Sequence, residues 1–272
     1  MMNTDTKPHS KTELCDAELM RYSRQILLDG WDIESQLKIK QSSVSLIGMG
    51  GLGCMVAPIL VRAGVGEVHL FDFDTIDDSN LQRQLLYTQA DIGLPKAQIA
   101  KQTLIEQNSW AVVHSHNIAL NDDTIKENLI SIKSNLWIDC SDNFDIRQTL
   151  NRYSIITSTA LLSLSAIGET GQVALFEPKK TGCYACLFGT SMRAAQNCAT
   201  SGVLASTVAV IGALGADIAL HFLGKDQNTL KDTLMVWQGS RANFQKMKFT
   251  KNPSCPICKN LSHYNNLGTV LD

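Results

Sequence analysis

Short apolar runs alternate along this chain with longer stretches of helical spacing. Val44-Ser45-Leu46-Ile47, Val68-His69-Leu70-Phe71, Val112 to His116 and Leu136-Trp137-Ile138-Asp139 read as strands, the first of them short and buried. Leu52 to Ala63, Lys96 to Asn108 and Asp122 to Ile130 read as helices. Ahead of the first strand, a helix opens with Asp16 as its N-cap and runs to Asp29, and a second covers Asp32 to Lys40. This order predicts an α/β protein with a Rossmann-like nucleotide-binding fold and a mostly parallel sheet. After Ala160 the pattern changes. Gln172 to Glu177 predicts an antiparallel addition, followed by strands near Leu234 to Trp237 and Phe244 to Phe249.

Val203 to Leu223 is apolar and about long enough to span a bilayer. It nevertheless carries Asp217 and His221 on one helical face, is interrupted by Gly212 and Gly215, and lacks a basic flank. We read it as a buried helix in a tight helix–helix contact, with no membrane partner expected. A net charge of −2 over 272 residues gives no pull toward nucleic acid. The 18% charged fraction hints at surface hidden in an oligomer. Met1 to Cys15 is polar, with no apolar centre, and reads as a flexible tail rather than a signal peptide. Eight cysteines then point to a cytoplasmic protein that uses them for metal or catalysis rather than disulfides.

The candidate chemistry begins with Gly48-Met49-Gly50-Gly51-Leu52-Gly53, a glycine turn between the first strand and its helix. Such a turn presents backbone amides at a helix N-terminus to a phosphate. Asp72 lies at the end of the second strand and suits a ribose hydroxyl; its alternative is a surface carboxylate. No Gly-Lys-Ser/Thr follows, so this is not the phosphate loop of kinases and ATPases. Ser79-Asn80-Leu81-Gln82-Arg83-Gln84 comes next, a polar run that moves the reading from hydride transfer toward nucleotidyl transfer. Arg24, Arg83 and Lys96 are isolated from one another; converging on one triphosphate, they would neutralise charge developing toward a leaving pyrophosphate. Asp142, in Cys140-Ser141-Asp142-Asn143 at a strand end, is placed to hold Mg²⁺. None of the six histidines falls in these motifs.

Cys183-Tyr184-Ala185-Cys186 and Cys255-Pro256-Ile257-Cys258 form two knuckles that together supply a structural Zn²⁺ site; the alternatives are a redox pair or buried thiols. Cys54 and Cys140 read as core. Cys198 precedes a helix in a polar stretch, as either a reactive thiol or a plain loop cysteine.

With these motifs in order from about Glu18 to Cys258, joined by Arg21-Tyr22-Ser23-Arg24-Gln25-Ile26 and Pro95-Lys96, the chain resembles the ThiF/MoeB/HesA family, bacterial relatives of ubiquitin-activating enzymes. The resemblance implies an ATP-dependent adenylyltransferase that activates the C-terminal Gly-Gly end of a ubiquitin-like sulfur-carrier protein. The implied nucleotide-binding set is Gly48, Gly50, Gly51, Gly53, Asp72, Ser79, Asn80, Leu81, Gln82, Arg83, Lys96, Asp142 and Asn143. Asn80, Arg83 and Lys96 would hold phosphates and Asp142 would hold magnesium. Arg24 would reach a partner subunit's site, implying a homodimer, and Cys198 matches a loop cysteine whose role varies among members. Sulfur would come from a separate donor protein. The expected organisation is one domain over 16–260, with a nucleotide-binding half of about 16–160 and a zinc- and carrier-binding half of about 161–260, flanked by tails 1–15 and 261–272. Trp31-Asp32-Ile33 and Leu70 to Thr75 are similar to the molybdopterin-synthase activating branch; Ser165 to Gly168 and Asn197 to Gly202 are similar to the thiamine-thiazole branch. Val203 to Thr207 and Gly215-Ala216-Asp217-Ile218 depart from the family's pattern, which bears on partner identity. A nicotinamide-dependent oxidoreductase with structural zinc would account for the glycine loop and Asp72 but leave Arg83, Lys96 and Asp142 idle.

Overall fold

A computed structural model describes residues 12–190 and 202–259. Its centre is an eight-stranded sheet in the order β3-β2-β1-β4-β5-β6-β7-β8. Strands β1 (Ser43–Ile47), β2 (Glu67–Phe71), β3 (Val112–His116), β4 (Leu136–Asp139) and β5 (Ala160–Ile167) run parallel. The remaining three, β6 (Thr170–Phe176), β7 (Thr233–Gln238) and β8 (Asn243–Lys248), add antiparallel to β5 in sequence order. From β1 the chain steps outward to β2 and β3, then returns to place β4 on β1's other side. Ile47 therefore sits in register with both Phe71 and Asp139. The strand order reverses between β1 and β4, and a crevice opens at their carboxyl ends.

Helices cover both faces. On one side α3 (Gly51–Ala63), α4 (Lys96–Gln107) and α8 (Ala205–Lys225) close the larger core around Leu46, Val56, Leu60, Leu70, Ile138, Leu162 and Ile211. On the other, α5 (Ile125–Asn128) and α6 (Phe144–Thr157) cover Ile47, Phe71, Trp137 and Leu161. With 21 residues and a mean hydropathy of 1.7, α8 is long and apolar enough to cross a membrane. Its glycines instead let it settle into the protein. A Cβ on Gly212 would stand 2.4 Å from Met55 of α3, and one on Gly215 would stand 2.6 Å from Leu164 of β5.

Some boundaries shift from those the sequence suggests, for local reasons. The first helix, α1 (Asp16–Ile26), is capped by Cys15, not Asp16: Glu18 reaches back to accept the Cys15 N–H at 3.0 Å. The helix expected from Asp122 begins only at Ile125, because Asn121 Oδ1 takes the N–H groups of Asp123 and Thr124 in a turn. Asp32 caps α2 (Ile33–Gln41) by accepting the Ser35 N–H at 2.7 Å. Helix α6, the short α7 (Tyr184–Phe188) and β5 lie outside the elements predicted from the sequence.

One buried ion pair ties α1, which carries Arg24, to the body. Lys40 Nζ lies 2.7 Å from Glu18 Oε2, with both side chains buried, and also donates to the Glu13 carbonyl at 2.7 Å. Burial alone would raise the Glu18 pKa, but the Lys40 ammonium and the Cys15 N–H more than offset it, so the carboxyl sits below its usual value. Replacing Lys40 with Met should cost about 3 kcal/mol in urea unfolding, because the Glu18 carboxylate is left buried and unpaired. A carboxyl with a lowered folded pKa contributes stability above its unfolded value of about 4.3 and loses it as pH falls through the folded value. The stability gap between wild type and Glu18→Gln should therefore shrink on acidification. A gap that stays constant into strong acid would rule out this assignment.

Candidate functional site

The glycine turn is shaped by what it must avoid. Gly48 ends β1 at φ +98, and a Cβ there would lie 2.9 Å from the Cys140 carbonyl at the end of β4. Gly50 caps α3 and Gly51 opens it. Gly53 serves packing: its Cβ would meet the Gly48 carbonyl at 2.1 Å. Asp72 braces the turn from the end of β2. Its Oδ2 accepts the Met49 N–H at 2.6 Å and its Oδ1 accepts the Asp74 N–H at 2.8 Å. Burial pushes the Asp72 pKa up, against the lowering effect of those two amides. The Tyr87 hydroxyl bridges the Met49 carbonyl at 2.8 Å and the Lys96 carbonyl at 3.2 Å, and burial drives its pKa far upward. Lys96 thus starts α4 next to the loop. Its buried ammonium pairs with Asp74 Oδ2 at 3.1 Å, while Asp74 stays half exposed.

The polar run divides its labour. Asn80, Arg83 and Gln84 border the cavity, and Arg83 Nη1 donates to the Ser79 carbonyl at 3.0 Å. Ser79 is spent on Asp77, which accepts from its hydroxyl at 2.6 Å and its N–H at 2.9 Å. Leu81 packs against the core and Gln82 points to solvent. Ser79, Leu81, Gln82 and Gly53 do not form the wall.

The end of β4 makes the opposite wall. Asp142 is exposed there beside Asn143, whose Oδ1 also accepts the Asp145 N–H at 2.8 Å and so caps α6. Arg147, outside every motif singled out in the sequence, lines the cavity from α6 and donates to the carbonyls of Ser141 and, at 2.9 Å, Leu164. Burial opposes its charge. Asp139, buried 3.6 Å away, and Tyr184 more than restore it. Five positions after Asp142 on a capped helix, an arginine on the inward face was the available signal.

Together these elements enclose a cavity of about 680 Å³, a size that suits a small-molecule ligand. Gly48, Gly50, Gly51, Asp72, Asn80, Arg83, Lys96, Asp142 and Asn143 all border it, with Phe73, Ile118 and Leu120 adding apolar surface. Arg24 is exposed on α1 and does not border it. Cys198 lies outside the described residues. Cys54 and Cys140 are core thiols, as expected, and burial raises Cys54 to about 12.

The four knuckle cysteines meet beside Ile155. Cys183 Sγ lies 3.8 Å from Cys186 and 3.7 Å from Cys255, and Cys186 lies 3.4 Å from Cys258. A zinc tetrahedron with ~2.3 Å metal–sulfur bonds has edges of about 3.8 Å. The Asn252 N–H points at Cys186 Sγ from 3.4 Å, the amide-to-sulfur bond that supports a bound thiolate. With four sulfur donors and no open position, the set fits a structural zinc.

Comparison with known proteins agrees with this geometry. The ThiF family model matches residues 22–257. The molybdopterin-synthase adenylyltransferase of Salmonella typhimurium is 37% identical over 247 residues, spanning 90% of this chain and 98% of that protein. The sulfur carrier protein ThiS adenylyltransferase of Escherichia coli is 35% identical over 244 residues, spanning 89% and 96%. Among solved structures, E. coli MccB with ATP superposes with a TM-score of 0.76 at 25% identity, covering 88% of this chain and 74% of that one. Matched along nearly its whole length by adenylyltransferases, this chain is an adenylyltransferase and belongs to the ThiF family.

Proposed function

We propose that this chain uses ATP to adenylate the C-terminal glycine of a ubiquitin-like sulfur-carrier protein, releasing pyrophosphate. The observation that carries this reading is the convergence of loop amides, Arg83, Lys96 and Asp142 on one cavity at the sheet's reversal point. A carboxylate is already an anion at neutral pH, so attack on the α-phosphorus needs no general base. One carboxylate oxygen bonds to phosphorus, the bond to the bridging oxygen breaks, and pyrophosphate leaves with its electron pair. The protein's task is positioning and charge neutralisation.

In this reading the amides at the start of α3 take a phosphate, and Asp72 takes the ribose with the lone pairs its loop contacts leave free. Arg83 and Lys96 face the departing pyrophosphate. Lys96 is held in waiting by Asp74, and its ammonium can trade that carboxylate for a phosphate oxygen without a large movement. Asp142 would hold Mg²⁺, since its exposed carboxylate makes no hydrogen bond to another described residue; the ion would supply charge that offsets the phosphates. Arg24 completes the site of a partner subunit in a homodimer.

Within this activity we assign the carrier of molybdopterin synthase as the partner, with the thiamine thiazole carrier as the alternative, on relatives of 37% and 35% identity. A separate protein then supplies sulfur. Carrier-dependent ATP–pyrophosphate exchange with each purified carrier decides between them.

Three outcomes test the mechanism. Asp142→Ala and Arg83→Ala should each lower exchange by roughly 10²–10³-fold with the fold intact by circular dichroism, the loss expected for one stabilising group. Full exchange by either variant would remove that residue from the mechanism. If Arg24 acts across the dimer, mixing and reassociating Arg24→Ala and Asp142→Ala chains restores about a quarter of wild-type activity, because half the dimers gain one complete site. No restoration would put Arg24 in its own subunit's site, and full activity of the Arg24→Ala chain alone would take it out of catalysis. Elemental analysis should find zinc bound by the knuckles, lost together with several degrees of Tm in Cys183→Ser; a variant that keeps both would refute the structural zinc.

A further inference from the structure

Three histidines and a glutamate gather at the far edge of the sheet, away from everything assigned above. In the parallel register of β2 and β3, His69 pairs with His114 and Phe71 with His116. Alternate residues of a strand share a face, so Glu67, His69, His114 and His116 lie together. None of them borders the nucleotide cavity or belongs to the cysteine cluster.

The geometry within the group is specific. Glu67 Oε1 stands 3.3 Å from His69 Nε2 and 3.3 Å from His114 Nε2. The three ligand atoms lie within 4.8 Å of one another. With metal–nitrogen and metal–oxygen bonds of ~2.0–2.2 Å, a tetrahedral site has ligand edges of about 3.3–3.6 Å, so the two edges through Glu67 already have coordination length.

The hydrogen bonding points the same way. His69 is 6% exposed, and its Nε2 is fully buried without a hydrogen-bond partner despite the nearby carboxylate. Its other nitrogen, Nδ1, is 3.2 Å from His116 Nε2. A neutral imidazole carries one proton. With that proton on Nδ1, donated to His116, Nε2 presents a lone pair toward Glu67, an arrangement that a cation between them satisfies. A ligating histidine held by a partner on its second nitrogen is the usual supporting arrangement of metal sites. The His69 and His114 rings stack at 4.5 Å with 13° between planes. Rotation of the His114 ring, whose side chain is 42% exposed, can turn its lone pair toward a shared ion.

We propose that Glu67, His69 and His114 form a second divalent-metal site, of zinc, cobalt or nickel type, that clips edge strand β3 onto β2. Two imidazole donors among the three ligands favour this part of the transition series over magnesium. The fourth position opens to solvent beside His114. Such an ion stabilises the fold by binding only where the two strands are paired.

The test adds Co²⁺ to full-length protein that carries a single equivalent of zinc, enough for the cysteine knuckles alone. One further equivalent should bind, giving visible ligand-field absorption without the near-ultraviolet band of cobalt thiolate. His114→Ala and Glu67→Gln should weaken that binding about tenfold or more, while their zinc content stays at the wild-type level. His116→Gln, which removes only the ring partner, should weaken it by roughly 10–100-fold. Added Zn²⁺ should raise the Tm of wild type and leave His114→Ala unmoved. Absence of a second equivalent, a thiolate band from the added cobalt, or undiminished binding by both His114→Ala and Glu67→Gln would each overturn the proposal.

Discussion

The backbone of Met49 is held on both sides of its Cα: Asp72 accepts its N–H at 2.6 Å and Tyr87 donates to its carbonyl at 2.8 Å. A hydrogen bond to a charged acceptor contributes about 1.5–3 kcal/mol, and leaving Asp72 buried without it would cost at least as much. This grip sets the glycine turn between β1 and α3, and so the direction of the amides at the helix N-terminus. Tyr87 extends the same grip to Lys96 through the carbonyl at the start of α4. The glycine loop, Asp72 and the start of α4 at Lys96 are thus one hydrogen-bonded unit. A ligand entering the cavity meets donors that are already oriented, with little ordering left to do at the moment of binding.

The cations around this unit fall into two kinds. Arg147 is committed: two backbone carbonyls and the nearby Asp139 occupy its fork, and it fixes the wall formed by β4 and β5. Among the described residues, the side chains of Lys96 and Arg83 have single partners that a ligand can replace, a half-exposed Asp74 carboxylate and the Ser79 carbonyl. Charge held in this way is present before the substrate arrives but keeps capacity to bind it. Of the three, Arg147 has the most extensive bonding and the least freedom to follow a moving phosphate.

Much of this was legible in the sequence, because strands leave a strong local signal. Val112 to His116 and Leu136 to Asp139 appear with the boundaries their apolar runs suggest. Glycines at 48, 50 and 51 and the two cysteine knuckles have fixed spacing, and fixed spacing survives in one dimension. What escaped reading is what only three dimensions bring together. Asp74 and Lys96 are 22 residues apart, and Tyr87 reaches Met49 across 38. The run from Ser79 to Gln84 reads as polar apart from Leu81, and the tight turn at Asp78–Asn80 uses Ser79 for its own closure and sends Leu81 inward. Composition cannot distinguish a polar side chain that caps a turn from one that faces a ligand.

The segment from Val203 to Ile218, where the chain departs from the family's pattern, now divides by exposure. Val203 and Val208 border the cavity, and a Cβ on Gly51 would lie 2.8 Å from Val208. Gly215, Ala216 and Ile218 are buried, with Gly215 set against Leu164. Substitutions at those positions answer to this protein's own packing: a helix pressed this close to β5 has no room for a longer side chain. Leu204 at the helix N-cap and Ser206, Ala213 and Asp217 on the helix remain exposed, and Asp217 lies one turn from His221, with 3.6 Å between carboxylate and ring. Whatever this segment contributes to partner choice must act through those few exposed positions or through the shape of the cavity wall. The unusual Gly-Ala-Asp-Ile sequence is therefore mostly a record of how α8 fits its own core.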